Sequence, residues 1–245
     1  MGRAGAVLTS GPPEPLRVAT ANIRDGLPRR EAGTALRLVA DQDPDLIALQ
    51  EWSLLRRGLL RQSAPGYEWH TPLVGGCPVG VRRERFEVLR RGTRALSWPG
   101  LVSPSPRRWS VVPGRAAGVV VCRDRAGGGV VAMVSFHLVP GVQAGGVYRR
   151  DRESLAGRHR RESERLEHLV ADLGNGAHRV CAAGDTNFHG LQLAGLVSCW
   201  SGHRAPGTLG TRLVDTVFWP TAADSVTLVE TPSDHRAVIA TVRVG

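Results

Sequence analysis

The sequence predicts an α/β or α+β chain in which helices cover β-sheets. Three features of its 245 residues carry this expectation. Apolar runs of strand length recur from residue 16 to residue 244. Two longer stretches, 28–40 and 155–173, instead space their apolar residues at a helical period. Most of the strand-like runs end abruptly in a carboxylate, an amide or an imidazole, so rigid backbone delivers polar groups at its tips.

Residues 16–23 (LRVATANI) read as a strand closing on Asn22, Arg24 and Asp25. Pro28 suits a first helical turn, where its missing N–H has no partner to lose, and opens a helix to Ala40 with Ala32, Ala35, Leu36 and Val39 on one face. Pro44 bars continuation, and 46–49 (LIAL) form a second buried strand ending in Gln50, Glu51 and Trp52. The tips of neighbouring strands in such a unit can meet at one crevice. Residues 53–62 fit a short basic helix. From 67 to 121 the pattern turns to short strands broken by Pro and Gly, among them 79–81, 86–91 and 118–121. Residues 130–137 (VVAMVSFH) are a strand ending on His137.

In the helix expected at 155–173, Leu166, Leu169, Val170 and Leu173 make the apolar stripe. Arg158, Arg160, Arg161 and Arg165 are expected on a solvated face, with Glu162 and Glu164 as partners. The run 180–183 ends in Gly184-Asp185-Thr186-Asn187, and a short helix is expected around 191–196. Strand 213–218 carries Asp215, and strands 225–230 and 237–244 flank the tight loop Thr231-Pro232-Ser233-Asp234-His235. No repeat of fixed period is present.

The formal charge is +10, and all 32 basic residues are arginine, which with abundant Ala, Gly and Val reflects coding bias in part. The surplus still favours polyanionic partners, nucleic acid first and a small phosphate ester or anionic lipid second. Four scattered cysteines without CxxC spacing imply neither a zinc site nor a disulfide framework, and Cys122 and Cys181 read as core. No apolar run reaches the roughly 18 residues of a membrane span. Residues 1–15, rich in Gly, Ala and Pro, read as a disordered lead-in and not a signal peptide. One domain over 16–245 in a cytoplasmic monomer is the expectation.

The polar tips in order are Asn22, Glu51, His137, Asp185 with Asn187, Asp215, and Asp234 with His235. Side chains two apart on a strand share a face, so Asp185 and Asn187 point the same way, and a carboxylate beside an amide suits a phosphoryl group. Carboxylates converging from separate strands repel one another unless a cation lies among them. Glu51 and Asp234 with Asn22 would make the oxygen-rich, incomplete shell that magnesium takes, with manganese as the alternative. Two histidines without cysteine partners argue against structural zinc. Asp215 inside a strand needs a partner, and His235 is the natural one. Each residue alone has an ordinary structural reading, such as a turn or a strand end; their joint occurrence is the signal.

The order ATANI, ALQEW, SFHL, AGDTN, VDTVF and SDHRAV resembles the endonuclease/exonuclease/phosphatase superfamily over nearly the whole chain, residues 16–244. The resemblance implies a four-layer sandwich of two packed mixed β-sheets flanked by helices. It also implies metal-dependent hydrolysis of phosphate esters, with phosphodiesters of nucleic acid first and a phosphatase or sphingomyelinase-like action on a small or lipid phosphate as the alternative. By motif, Glu51 would be the principal metal carboxylate with Asn22 and Asp234 near the same ion. Asn187 would bond the scissile phosphate, and Asp185 would position or deprotonate water. His235, held by Asp215, would be the general base or a phosphate contact, and His137 would bind phosphate or assist the leaving group. The chain departs from the pattern at Thr186, where a large apolar residue is usual, and it lacks the extra tyrosine of abasic-site enzymes.

Overall fold

β1 (Leu16–Asn22) is buried on both faces, which is why its sequence is apolar at nearly every position. It pairs in parallel with β2 (Leu46–Gln50), and α1 (Arg29–Ala40) supplies the crossover that a parallel pair requires. A turn of 3₁₀ helix at Leu54–Arg56 and then α2 (Arg57–Ser63) occupy the stretch expected to be a short basic helix. β3 (Tyr67–His70) and β4 (Val79–Arg82) follow. β5 (Phe86–Ser97) leads into a hairpin of β6 (Gly100–Ser105) and β7 (Arg108–Val112), and β8 (Arg115–Asp124) returns alongside β5. β9 (Val130–His137) precedes a second, smaller hairpin of β10 (Gln143–Ala144) and β11 (Val147–Tyr148). α3 (Glu153–Gly174) then crosses to β12 (Arg179–Asp185), parallel to β9. β13 (Val197–Ser198), β14 (Asp215–Trp219), β15 (Ser225–Val229) and β16 (Ala237–Val242) complete the chain. This computed structural model describes residues 14–105, 108–177 and 179–244, so most of the expected lead-in lies outside the described residues.

One sheet has the order β15-β16-β1-β2-β4-β3 and the other β13-β14-β12-β9-β8-β5. Each has a parallel pair at its centre, spanned by a helix, with antiparallel strands on either side. Strand alternation then builds four layers. Val18, Ala48 and Val79 face Val120, Met133, Cys181 and Val217 in a core between the sheets. On one outer face Ala19, Ala21, Ile47 and Leu49 meet Leu36, Val39 and Leu60 of α1 and α2. On the other, Val134, Phe136 and Ala182 meet Leu166, Leu169 and Val170 of α3. Each large aliphatic side chain so enclosed contributes about 1.5–3 kcal/mol relative to exposure. The fold is the expected sandwich. All four cysteines are free and buried, and no described helix is long and apolar enough to cross a membrane.

Two expectations fail locally. Arg158 and Glu162 do not lie on a solvated face: both are buried, with Arg158 Nε donating to Glu162 Oε1 at 2.9 Å. Glu162 also accepts from Ser97 Oγ at 2.6 Å and from the Val139 amide at 2.8 Å, while Arg158 donates to the Pro113 carbonyl at 2.6 Å. This pair therefore ties α3 to both roots of the β6–β7 hairpin and to the chain leaving β9. The second failure is the helix around 191–196, where turns replace it. Gly190 and Gly195 take positive φ, and Leu193 bridges Leu196.

Candidate active site

Inner-facing side chains change character along the strands toward one edge of the sandwich. The apolar core gives way to a buried polar floor, in which Thr20 Oγ1 donates to Gln50 Oε1 (3.1 Å) and Ser135 Oγ to the Leu49 carbonyl (2.8 Å). Beyond it the same faces carry Asn22, His137, Asp185 and Asp215. Register places Asp185 beside His137 on one neighbouring strand and beside Asp215 on the other. Gly184 is required just before it, because a Cβ there would run into the carbonyl of Phe136.

Asn22 joins the two sheets. Its Nδ2 donates to Asp185 Oδ2 at 3.0 Å and to Glu51 Oε1 at 3.2 Å. The other Glu51 oxygen accepts from the Asp25 amide at 3.1 Å. The Asp25 loop is held by Arg56, buried within the expected basic helix, which donates to the carbonyls of Arg24, Asp25 and Leu27. Glu51 and Asn187 both have positive φ, at 57° and 50°. Such backbone costs a non-glycine residue on the order of 1 kcal/mol and persists only where its surroundings enforce it. Asn187 is enforced by three bonds: its amide to Asp185 Oδ1 (2.7 Å), its Nδ2 to the Leu138 carbonyl (3.0 Å), and its carbonyl from Gln143 Nε2 (3.0 Å). One Nδ2 hydrogen remains for a ligand. Thr186 is buried, and its hydroxyl lies 2.8 Å from the Val214 carbonyl, so a polar anchor stands where an apolar plug was the usual pattern.

His235 Nδ1 lies 2.8 Å from Asp215 Oδ2. Burial alone would lower this imidazole's pKa, but the bond to Asp215 and its charge, with Asp185 and Asp234 behind, raise it to about 9. Burial, then Asp215, push Asp185 up to about 7 against the pull of His235. His137 is held well below the ordinary imidazole range by burial and by the positive neighbours Arg115 and His235. Arg115 Nη1 lies 3.1 Å from His137 Nδ1. A guanidinium can only donate, so Nδ1 must accept and the ring proton sits on Nε2, which faces Asp185 Oδ2 at 3.5 Å.

Asn22, Glu51, His137, Asp185, Asn187, Asp215 and His235 thus share one crevice. Asp234 is placed differently: it is exposed at the rim, 3.3 Å from Ser233 Oγ, which itself lies 2.8 Å from the Asn22 carbonyl. His189, just past Asn187, is exposed and its Nδ1 accepts from the Leu213 amide. Of the tryptophans, Trp52 and Trp219 are core residues, whereas Trp98 and Trp109 are exposed. Sequence reasoning missed Arg115, one arginine among 32, and His159. His159 is buried in α3; its Nε2 donates to the Thr186 carbonyl at 2.7 Å and its Nδ1 accepts from Tyr148 Oη at 2.9 Å.

The residues suit a divalent cation in two ways. Asn22 Oδ1 and Asp215 Oδ1 are buried oxygens without a hydrogen-bond partner among the described residues, a costly state that a cation would relieve. Oxygen atoms of Asp185 and Asp215 and a His235 nitrogen lie within 4.8 Å of one another. This second cluster was not the shell expected from Glu51, Asn22 and Asp234.

No family model and no curated protein matches the chain. Solved structures do. An endonuclease/exonuclease/phosphatase from Bacteroides vulgatus superposes with TM-score 0.70 at 16% identity, over 95% of this chain and 100% of that one. The chain has the endonuclease/exonuclease/phosphatase fold. The same fold is found in the mannosyl-6-phosphatase Bt3783 of Bacteroides thetaiotaomicron (TM-score 0.64, 16% identity, 93% of this chain and 99% of that one). It recurs in TDP2 of D. rerio complexed with single-strand DNA product (TM-score 0.63, 16% identity, 94% of this chain and 99% of that one). On this fold the crevice described above opens at the polar edge of the two sheets.

Proposed function

We propose that the chain is a divalent-metal-dependent phosphodiesterase acting on nucleic acid. The observation that carries the proposal is Asn22 bonding Glu51 and Asp185 across the gap between the sheets, beside the His235–Asp215 pair. Glu51 and the free Oδ1 of Asn22, with Asp234 at the rim, would hold magnesium. Their hard oxygen atoms fit it better than the His235 nitrogen, which Asp215 already engages. When bound there, the cation would polarise a phosphate oxygen and offset the charge that grows in the transition state.

The chain's own residues supply the rest. Asp185, with a pKa near neutrality, is suited to take a proton from water. His235 is protonated at neutral pH and offers its Nε2 hydrogen to the phosphate, its charge held by Asp215. His137, neutral with its proton on Nε2, donates without adding charge, and Arg115 beside it supplies a permanent cation to the phosphate. Asn187 contributes its remaining amide hydrogen. Donors fixed in a buried site need no reorganisation as charge develops, which is where such groups act most strongly.

Three features favour a nucleic-acid strand: the net charge of +10, exposed Trp98 and Trp109 at the hairpin that leaves the sheet at Ser97, and the DNA product in the similar TDP2 structure. A small or lipid phosphate is the second reading, favoured by similarity to a mannosyl-6-phosphatase and by exposed Leu101 and Val111 on the same hairpin. A cytoplasmic location fits the four unpaired cysteines. Incubating the protein with single-stranded DNA, plasmid and a panel of sugar and lipid phosphates, each with magnesium or EDTA, tests the assignment. Cleavage of DNA supports it, and turnover of the panel alone replaces it with the second reading.

A further inference from the structure

Beside the catalytic crevice lies a cavity of about 280 Å³ lined by Tyr148, Arg149, Arg150, Glu153, Ala156 and Arg160. Its wall is fixed to the catalytic loop. The Tyr148 ring packs 4.4 Å from that of Phe188, the residue after Asn187, and its hydroxyl donates to buried His159, which in turn donates to the Thr186 carbonyl. The Arg160 guanidinium lies 4.5 Å from the centre of the Tyr148 ring, a cation–π contact that orients it while leaving its N–H edges open. Arg149 is engaged by Asp151 through two bonds of 3.0 and 2.6 Å. Arg150 and Arg160 are exposed and, among the described residues, form no ion pair within 4.0 Å. Glu153 is the one carboxylate of the lining.

Two guanidinia without an ion pair in a concave site, one of them oriented by Tyr148, match a phosphate in charge and in donor chemistry. Apolar ligands are disfavoured by the same groups. We propose that this cavity binds a second phosphate of the substrate strand, flanking the one cleaved in the crevice, so that the chain prefers a polynucleotide over an isolated phosphodiester. Arg150 and Arg160 hold that phosphate, Tyr148 sets its distance from Asn187 through Phe188, and Glu153 weakens the site by its charge. This inference rests on the phosphodiesterase reading and names the substrate feature that the site selects.

The test compares a short fluorescein-labelled single-stranded oligonucleotide with bis(4-nitrophenyl) phosphate, which has no second phosphate, using the full chain with magnesium. Arg150→Ala/Arg160→Ala should raise KM for the oligonucleotide roughly tenfold, two exposed charge-assisted contacts being discounted for solvent. The slope of log KM against log salt should fall by about 0.7 for each arginine removed. Glu153→Gln should move KM the opposite way, a sign that general surface damage would not produce. Unchanged KM and salt slope, or an equal loss on both substrates, overturns the proposal. Should the wild type hydrolyse the small diester and leave the oligonucleotide intact, the nuclease reading fails on its own, and fluorescence anisotropy in EDTA decides the cavity. Binding weakened by the double variant and tightened by Glu153→Gln upholds it; equal binding by all three proteins, or none by the wild type, sinks it.

Discussion

The His235–Asp215 pair makes the most quantitative prediction. His235 is almost fully buried, so its displacement from the ordinary 6.5 to about 9 needs no large discount for solvent and corresponds to roughly 3 kcal/mol between its two protonation states. Because the folded value lies above the unfolded one, this stabilisation is fully present below about pH 6.5 and is lost as pH rises through about 9. Asp215→Asn keeps the shape of the side chain and removes the charge. Burial then dominates, and the imidazole should titrate at or below 6.5. Two assays on metal-free protein read this: the His235 ring signals by NMR, and urea unfolding between pH 6.5 and 9.5. Wild-type stability should converge on that of the variant by roughly 3 kcal/mol across this window. A His235 that titrates at the same pH in both proteins, or a stability difference that does not vary with pH, would show that Asp215 does not hold the charge on His235.

Other expectations follow from the same geometry. Glu162→Ala leaves the buried Arg158 without its counter-charge, and its Nε and the Val139 amide without their acceptor, and should cost about 3–5 kcal/mol in urea unfolding; Glu162→Gln, which keeps the acceptor, should cost less. Arg115→Met removes the donor that fixes the His137 tautomer and should lower kcat by about 10²–10³-fold, with the loss of the Nε2–H form visible in the His137 ring signals. On the proposed roles of Asp185 and His235, kcat/KM should be bell-shaped in pH. Its alkaline limb should follow His235 near 9, and its acid limb should lie at or below 7, since a bound cation would draw the Asp185 pKa down. A profile flat from pH 6 to 10 would contradict both roles.

The layers of this fold were legible because both faces of its central strands are covered. Val18 and Ala19 look toward different layers, so β1 reads as a continuous apolar run, and the loss of that apolar character at Asn22 marks where the layers end. The crevice was legible for the same reason: Asn22, His137, Asp185 and Asp215 each stand where an apolar run stops or breaks. Arg158 and Glu162 were not, since an arginine and a glutamate four apart on a helix look alike in sequence whether they face water or the root of a hairpin. Residues 191–196 carry helix-like apolar spacing, but Gly190 and Gly195 take the left-handed backbone that ends a helix before it starts. Arg115 was hidden by the arginine-rich composition, and His159 by its distance in sequence from the loop it holds. Asp234 read as a ligand from its motif; its side chain lies exposed at the rim of the crevice, from where its charge also helps to raise the His235 pKa.

The most direct test is cleavage of a labelled single-stranded oligonucleotide by wild type and Glu51→Gln side by side across a magnesium titration, with folding checked by circular dichroism. If Glu51 holds the cation, cleavage is absent in EDTA, the wild type is activated saturably, and the Glu51→Gln protein folds but needs far more magnesium for a small fraction of the rate. Equal activity of the two proteins at every magnesium concentration, or full wild-type cleavage in EDTA, would contradict that role.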